Sequence, residues 1–256
     1  MNNHRRTLYK NMKKGKNATN LIIGGSDMYA GAPYFASISS LRTGSDLSFI
    51  MTQKKVLIPL KILLPESIVI PIQKTEWILN RINVCVIGPG LGRVEGFVAD
   101  KIIEIANYLL QKNIPIIIDG DGINWLIQHL DRIYMSGGRI IVTPNFNEAK
   151  KLVGCNLESF LVVEKGDKDM IYGKNFNETV CDENSLKRCG GQGDILVGIM
   201  ATLLSYVDDF EEFDLENKCT EACRILRKTS NIAYKKYGLS LMARDIIENL
   251  KNINKY

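Results

Sequence analysis

Short apolar runs rich in isoleucine, leucine and valine alternate along the chain with longer segments whose apolar residues recur at helical spacing. Because the runs contain few polar residues, they predict strands buried on both faces, as in a parallel sheet covered by helices on each side. The runs are residues 21–23, 47–50, 68–72, 84–87, 114–118, 140–142 and 161–163. The helical segments lie near 32–43, 95–112, 122–129, 146–152, 193–206, 218–236 and 241–251. This alternation predicts an α/β fold.

The length of 256 residues fits one large domain, and no repeat or Pro/Gly/Ser-rich linker divides the chain. We expect a basic N-terminal segment at 1–20 and a single domain at 21–256. The acidic segment 208–216 lacks a clear period and predicts a surface loop between two helices. The net charge is +5, but six basic residues precede the first acid, Asp27, so the rest of the chain sums to −1. A near-neutral body offers no broad basic surface, and we expect no nucleic-acid partner.

Cysteine, histidine and hydropathy patterns exclude several classes of site. Six cysteines are scattered without the paired spacing of a zinc site, which is typical of a protein in a reducing compartment. With only two histidines, His4 and His129, neither a histidine-based triad nor a histidine-rich metal site is expected. The most apolar stretch, 56–72, is interrupted by Lys61, Glu66 and three prolines, so we expect no transmembrane span and no membrane partner.

The sharpest chemical motif is the segment RCGGQGD at 188–194, which opens an apolar helix. Glycines before a helix allow an anion to approach the free backbone N–H groups and the positive dipole end of the first turn. Asp194, at that helix start, is suited to take a proton from a hydroxyl group that attacks phosphorus. An ordinary N-cap aspartate is the alternative, but a cap does not require a run of glycines.

Four further polar turns follow predicted strands, at the ends where ligands bind in open α/β sheets. GPGLGR at 88–93 is a glycine-rich turn, and DGDGIN at 119–124 places two carboxylates after a strand. TPNFNE at 143–148 combines a helix-capping asparagine with a glutamate suited to hold the water shell of a magnesium ion. KGDKD at 165–169 is a turn that can reach a nucleotide. Each of the four also fits a purely structural turn or cap.

Taken together, these segments resemble the ATP- or ADP-dependent NAD(P)H-hydrate dehydratases. The matching blocks also include GGS at 24–26, GAPYFA at 31–36 and residues 238–245, so the resemblance spans about residues 5–250. The blocks at 31–36 and 188–194 are specific to this family, whereas N-x-x-E and the glycine-rich aspartate turn are shared by ribokinase-like kinases generally. The resemblance implies a ribokinase-like three-layer α/β/α sandwich with a mostly parallel central sheet in a single domain.

The family repairs nicotinamide cofactors that have gained water across the dihydropyridine ring. The resemblance implies that the hydroxyl of the S-epimer hydrate of NADH or NADPH attacks a nucleotide phosphate, and that phosphate then leaves to restore the double bond. Asp194 resembles the catalytic base that contacts the hydrate. The implied nucleotide-binding residues are Lys165, Gly166, Asp167, Lys168, Asp169, Asn184, Ser185, Leu186, Lys187, Arg188, Cys189, Gly190, Gly191, Gln192 and Gly193. The implied hydrate-binding residues are Gly90, Asn145, Phe146, Asn147, Glu148, Ala149, Lys150, Lys151 and Asp194.

The resemblance also bears on the phosphoryl donor and the cellular setting. Asn145 completes a T-P-N triplet that is similar to eukaryotic members and favours ATP over ADP. Mg²⁺ is implied by the nucleotide chemistry, with ligands that the sequence does not identify. The family implies small-molecule substrates and leaves a homo-oligomer open. Since the similarity begins near residue 5, it favours the cytoplasm over the mitochondrion.

Two departures from the family pattern affect these expectations. Only about eight residues separate Leu152 from Leu161, where the family usually has a helical insert. Lys168 stands where an acidic residue is usual, which reverses a charge in the predicted nucleotide site. The alternatives are another ribokinase-like kinase, which would lack the block at 31–36, and a non-catalytic nucleotide-binding protein, against which the intact Asp194 argues.

Overall fold

The computed structural model describes residues 18–134, 139–155, 160–207 and 212–252. Within them, nine strands form one sheet. The strands are β1 (Thr19–Ile23), β2 (Leu47–Thr52), β3 (Ile68–Pro71), β4 (Val84–Ile87), β5 (Ile116–Ile118), β6 (Ile140–Val142), β7 (Phe160–Glu164), β8 (Asp169–Gly173) and β9 (Phe176–Val180). The α-helices are α1 (Gly31–Thr43), α2 (Leu57–Leu63), α3 (Glu76–Leu79), α4 (Gly96–Gln111), α5 (Asp121–Gln128), α6 (Phe146–Lys151), α7 (Gln192–Leu204), α8 (Glu212–Tyr237) and α9 (Ala243–Leu250).

The strand order is β3-β2-β1-β4-β5-β6-β7-β8-β9. Every pair from β3 to β7 is parallel, and β8 and β9 complete the sheet as an antiparallel hairpin. In the register of the central strands, Ile22 of β1 lies opposite Ile50 of β2 and Val86 of β4. The strands after β1 continue on one side as β2 and β3 and on the other from β4 onward. The strand order therefore reverses between β1 and β4, and this is the position where open α/β sheets bind ligands.

The two faces of the sheet carry separate apolar layers. Leu21 and Ile23 of β1 face α3, α4 and α5, whereas Ile22 between them faces α1, α7, α8 and α9. Successive side chains of a strand point to opposite faces, so an unbroken apolar run serves both layers. Helix α2 packs through Leu60 on β2 and β3. The result is a three-layer α/β/α sandwich with a mostly parallel sheet, and the predicted fold class is confirmed.

All seven predicted strands and all seven predicted helices are present. The loop predicted at 208–216 is wrong from Glu212 onward, because α8 begins there. Acidic residues are favourable at a helix N-terminus, and Leu215 is buried against the core, which explains the helix. Residues 208–211 of that prediction lie outside the described residues. So do residues 1–17 of the predicted basic segment and 156–159 of the shortened connection.

Four described elements have no counterpart among the predictions: α2, α3, β8 and β9. Helix α2 contains Pro59, but the proline occupies its first turn, where no intrahelical N–H bond is lost. The β8–β9 hairpin alternates buried and exposed residues in short stretches, a weaker signal than the apolar runs. No helix in the described part of the chain is both long and apolar enough to cross a membrane.

Candidate active site

The turns after β1 and β4 meet at the point where the strand order reverses. The backbone N–H of Gly25 donates to the carbonyl of Pro89 at 3.0 Å. Gly24 approaches the same carbonyl so closely that an added Cβ would lie 2.2 Å from it. Gly90 has a φ of +58° and lies against Tyr29, where an added Cβ would be 2.7 Å from the Tyr29 Cβ. An added Cβ on Gly90 would also lie 3.1 Å from the Ala32 Cβ, so the structure brings the predicted hydrate residue Gly90 beside the 31–36 block.

The turn that follows β4 also packs against the turn that follows β5. Gly88 has a φ of +126°, and an added Cβ would lie 1.8 Å from the carbonyl oxygen of Asp119. A side chain is therefore excluded at this position on both steric and backbone grounds. The Gly92 N–H donates to the Asp121 carboxylate at 2.8 Å. These contacts place the carboxylates of the 119–124 segment next to the glycine-rich turn after β4.

Helix α7 brings its N-terminus to the same edge of the sheet. Its N-cap, Gly191, has a φ of +96°, and no side chain caps the first turn. Gly198 packs so closely on α1 that an added Cβ would lie 2.2 Å from the Ala36 carbonyl oxygen. Asp194 lies in the first turn, where the free N–H groups and the helix dipole favour negative charge. This arrangement agrees with the anion-binding role predicted for the segment.

Lys165, which follows β7, forms an ion pair with Asp119, which follows β5. The Lys165 Nζ lies 2.5 Å from the Asp119 Oδ1, and the Thr143 hydroxyl donates to the same oxygen at 2.7 Å. The Asp119 side chain is only 5% exposed. An added Cβ on Gly193 would lie 3.2 Å from the Lys165 Nζ, so the ammonium group lies against the start of α7. The ends of β5, β6 and β7 therefore converge on the helix that carries Asp194.

The electrostatics of this cluster favour a base that operates near neutral pH. Burial, followed by the negative charge of Asp119, raises the pKa of Asp194 to about 7, while Lys165 opposes the rise. Asp194 as a whole residue is nevertheless only partly buried. Burial by itself lowers the pKa of Lys165, but the carboxylates of Asp119, Glu148 and Asp194 outweigh it and hold that pKa above its usual value. Lys165 is therefore a cation in the site, and Asp194 can exchange a proton at physiological pH.

The N-x-x-E segment forms a reciprocal helix cap at the start of α6. The Asn145 Oδ1 accepts from the N–H of Asn147 at 2.9 Å and of Glu148 at 3.0 Å, and the Asn145 N–H donates to Glu148 at 2.9 Å. The segment thus forms the structural helix cap that the sequence allowed as an alternative to a role in binding. Asn145 also forms a β-bridge with Lys165, so the capped turn lies beside the ion pair.

The two segments predicted to bind nucleotide lie side by side. Arg188 contacts Asp167 across them at 2.5 Å, on the surface. The Ser185 hydroxyl donates to the Lys187 carbonyl at 2.7 Å, and Gln192 bonds back to Ser185 at 3.3 Å. The loop before α7 is therefore folded against the first residue of the helix. Asn184, Leu186, Cys189, Gly190 and Lys168 complete these segments.

Some predicted site residues have other partners. Asp169 is 7% exposed, and its carboxylate is paired with Arg227 at 2.7 Å, so it is committed to a protein contact. Lys150 lies 4.2 Å from the centre of the Phe146 ring, and Lys151 donates to Asn124 at 3.0 Å. No described contact joins these α6 side chains, or Ala149, to Asp194. The assignment of the α6 residues to the hydrate site stays a prediction.

Asp119, Thr143 and Arg227 are absent from the site predicted from sequence. Asp119 was considered only as part of a polar turn, because its partner Lys165 is 46 residues away in the chain. Arg227 belongs to no motif. Its signal is its position on α8, one and two turns after the buried Cys223 and Cys219. A lone arginine on an apolar helix face indicates a buried partner for its charge.

The donor set of the site fits a magnesium ion that arrives with a nucleotide. In the parts of the chain that the structure describes, no three His, Cys, Asp or Glu side chains form a group that could hold a metal ion. Mg²⁺ commonly keeps several waters and binds one or two carboxylates together with substrate phosphates. The Glu148 carboxylate, whose charge acts on Lys165 in the site, matches that requirement. We expect ATP phosphates to supply the remaining ligands.

The sandwich, with its reversal of strand order and the glycine-rich start of α7, belongs to the ribokinase-like fold class, as two solved structures show. The crystal structure of a ribokinase-like superfamily protein from Enterococcus faecalis matches with a TM-score of 0.80 and 21% identity, covering 96% of this chain and 89% of that one. The ADP/ATP-dependent NAD(P)H-hydrate dehydratase from Bacillus subtilis, co-crystallised with ATP and Mg²⁺, matches with a TM-score of 0.74 and 19% identity, covering 96% and 92%.

Within that fold class, the chain belongs to the NAD(P)H-hydrate dehydratase family, whose model matches residues 20–252. The protein named ATP-dependent (S)-NAD(P)H-hydrate dehydratase in Dictyostelium discoideum is 34% identical, over 96% of this chain and 92% of that protein. The protein of the same name in Pediculus humanus is 37% identical, over 88% and 86%. The family predicted from the sequence motifs is confirmed.

Proposed function

We propose that the protein is an ATP-dependent (S)-NAD(P)H-hydrate dehydratase, a hydro-lyase that repairs hydrated nicotinamide cofactors. The observation that carries the proposal is Asp194, a carboxylate with a pKa of about 7 in the first turn of a glycine-preceded helix, beside the cation Lys165. The names of the relatives from Dictyostelium, Entamoeba and Pediculus support the same activity.

The first step transfers a phosphoryl group to the hydrate. Asp194 takes the proton of the hydrate hydroxyl while the hydroxyl oxygen attacks the terminal phosphorus of ATP and ADP leaves. The free N–H groups at the start of α7 and the Lys165 ammonium face the negative charge that develops on the phosphoryl oxygens. When Mg²⁺ is bound, Glu148 would hold it through its water shell, and the ion would supply positive charge beside the phosphoryl group.

The second step restores the dihydronicotinamide ring. Phosphate leaves with the electrons of its C–O bond, and a ring proton passes to water as the double bond forms. Lys165 remains beside the departing phosphate and neutralises part of its charge. In sum, ATP and hydrated NADH or NADPH give ADP, phosphate and the intact cofactor.

The ion pair between Asp167 and Arg188 supports a common nucleotide site, because it joins the two predicted nucleotide segments.

The cysteines and the proposed substrates bear on the compartment and the partners of the protein. None of the six cysteines is paired in a disulfide, which agrees with a reducing compartment, and we place the protein in the cytoplasm. Its partners in this proposal are small molecules, ATP and the hydrate, and a homo-oligomer remains a prediction from the family.

A recovery assay tests the proposed function directly. Purified protein is mixed with hydrated NADH, Mg²⁺ and either ATP or ADP, and the return of the near-ultraviolet absorbance of the dihydronicotinamide is followed. We expect recovery with ATP, slower recovery with ADP, and none without nucleotide. ATP binding without recovery from either hydrate would contradict the proposal and favour a vitamin or sugar kinase or a non-catalytic binding protein.

The pH dependence of the reaction tests the role of Asp194 separately. Because the deprotonated carboxylate is the active form and its pKa is about 7, kcat/KM should rise about tenfold per pH unit below pH 7 and level off above it. The rate is measured from pH 5.5 to 8.5 with ATP and Mg²⁺ saturating at every pH. A profile that is flat across this range would show that the base titrates elsewhere.

A further inference from the structure

We propose that Arg227 is a positioning residue for ATP: from the interior of α8 it fixes both segments that are expected to bind the nucleotide. The inference rests on the proposed function for the identity of the ligand. Nothing in the motifs of the sequence assigns a role to this arginine. The proposal stands on three hydrogen bonds that its guanidinium group makes to two separate stretches of chain.

Arg227 is 2% exposed and has the largest of the fully buried side chains. Its Nε donates to the Asp169 Oδ2 at 2.7 Å, its Nη2 donates to the Gly166 carbonyl at 3.2 Å, and its Nη1 donates to the Asp182 carbonyl at 3.2 Å. A buried arginine needs a paired charge and satisfied donors, and this one has both. The planar fork of the guanidinium sets the relative positions of its three acceptors.

The first acceptor segment leads directly to the phosphate end of the site. The Gly166 N–H donates to the Asp169 Oδ1 at 3.2 Å, so Asp169 and Arg227 together hold both backbone polar groups of Gly166. Gly166 follows Lys165, whose side chain pairs with Asp119 and lies against Gly193. A part-buried ion pair and a buried one thus adjoin along the chain. Arg227 fixes the backbone from which the Lys165 ammonium reaches the start of α7.

The second acceptor segment leads to the loop before α7. Asp182 follows β9 and precedes the predicted nucleotide residues Asn184 and Ser185. Arg227 donates to the backbone carbonyl of Asp182 at 3.2 Å. Arg227 thus ties both segments to helix α8. Replacing Arg227 removes the hydrogen bonds that hold the two segments in fixed relative positions. We therefore expect replacement of Arg227 to lower the affinity for ATP more than the affinity for the hydrate.

A neighbouring arginine provides the matched control. Arg224 lies one turn earlier on α8, is 54% exposed, and contacts Glu178 at 2.7 Å and the Asp182 carboxylate at 3.8 Å. Exposed ion pairs of this kind contribute little to stability. Arg224→Lys therefore reproduces the chemical change on the same helix, next to the same residue, without altering the buried fork.

The experiment compares wild type, Arg227→Lys and Arg224→Lys. Lysine keeps the charge but has no planar fork for three separated acceptors. We expect Arg227→Lys to raise the KM for ATP at least tenfold while the KM for the hydrate stays within about twofold. We expect Arg224→Lys to leave both constants within about twofold. A fall in thermal stability of Arg227→Lys with an unchanged KM for ATP, measured well below its Tm, would show a merely structural role and overturn the proposal.

A second variant covers the case in which Arg227→Lys does not fold. The double variant Arg227→Gln with Asp169→Asn removes both charges of the pair, so neither is left buried without its partner. It still lacks the fork, and the same tenfold rise is expected. ATP-induced stabilisation against heat, measured without hydrate, reports ATP affinity directly. A wild type that binds ATP but repairs no hydrate overturns the proposed function alone, because the Arg227 comparison is then made on ATP binding.

Discussion

Asp194→Asn is expected to lower turnover by about 10²–10⁴-fold, the usual contribution of a positioned general base. Asparagine has nearly the same shape but takes no proton from the hydrate hydroxyl. The N–H groups of α7 and the Lys165 ammonium remain in place, so ATP should bind with an affinity within about threefold of wild type. Single-turnover recovery of NADH and direct titration with ATP measure the two quantities.

The same variant should be more stable than wild type above pH 7. The pKa of Asp194 in the folded protein, about 7, lies above that of an aspartate in an unfolded chain. The folded state therefore holds more protons between about pH 4 and pH 7, and stability is lost as the pH rises through that window. Asparagine carries no such cost. We expect about 1–2 kcal/mol of added stability at pH 8 and little at pH 4, after allowance for the partial exposure of Asp194.

Glu76→Gln is the matched control, because Glu76 also lies in the first turn of a helix, α3, but is exposed and has no contact with the site. It should leave turnover unchanged. Turnover of Asp194→Asn within threefold of wild type would remove Asp194 from the role of base. The stability measurement shows separately whether the variant is folded.

Lys165→Met is expected to reduce the free energy of unfolding by about 3 kcal/mol, the lower end for removal of one partner of a buried ion pair, because the Lys165 side chain is 20% exposed. Asp119 is 4% exposed and would retain only the Thr143 hydroxyl as a described partner. The methylene groups of lysine are largely preserved in methionine, so the loss reports the charge. Urea denaturation at pH 8 measures the change.

The double variant Lys165→Met with Asp119→Asn tests whether the loss of stability comes from the unpaired Asp119 charge. Because it leaves no buried charge unpaired, it should recover most of the lost stability. Activity should stay low, since the Lys165 ammonium that faces the phosphoryl oxygens is still missing. Lys101→Met, which breaks an exposed pair with Glu104 on α4, should cost less than about 1 kcal/mol. A double variant no more stable than Lys165→Met would show that the pair itself is not the source of the loss.

The strands and helices that form the two apolar layers could be predicted because each leaves a local pattern. An unbroken run such as Val84–Ile87 is buried on both faces wherever it lies in a parallel sheet. Helix α2 could not be predicted, because Pro59 suggests a break in the helix. The β8–β9 hairpin could not be predicted either, because its alternating stretches are short. The start of α8 was mistaken for a loop because acidic residues suit both a surface loop and a helix N-terminus.

The sequence by itself determined the fold class, the family and the motif that carries Asp194, because each depends on residues adjacent in the chain. Only the tertiary structure decided which charges meet: Lys165 with Asp119, and Arg227 with Asp169, partners 46 and 58 residues apart. It also decided the pKa of Asp194, since burial and the neighbouring Asp119 raise it. Pairing and desolvation depend on distances through space, and no local pattern along the chain encodes them.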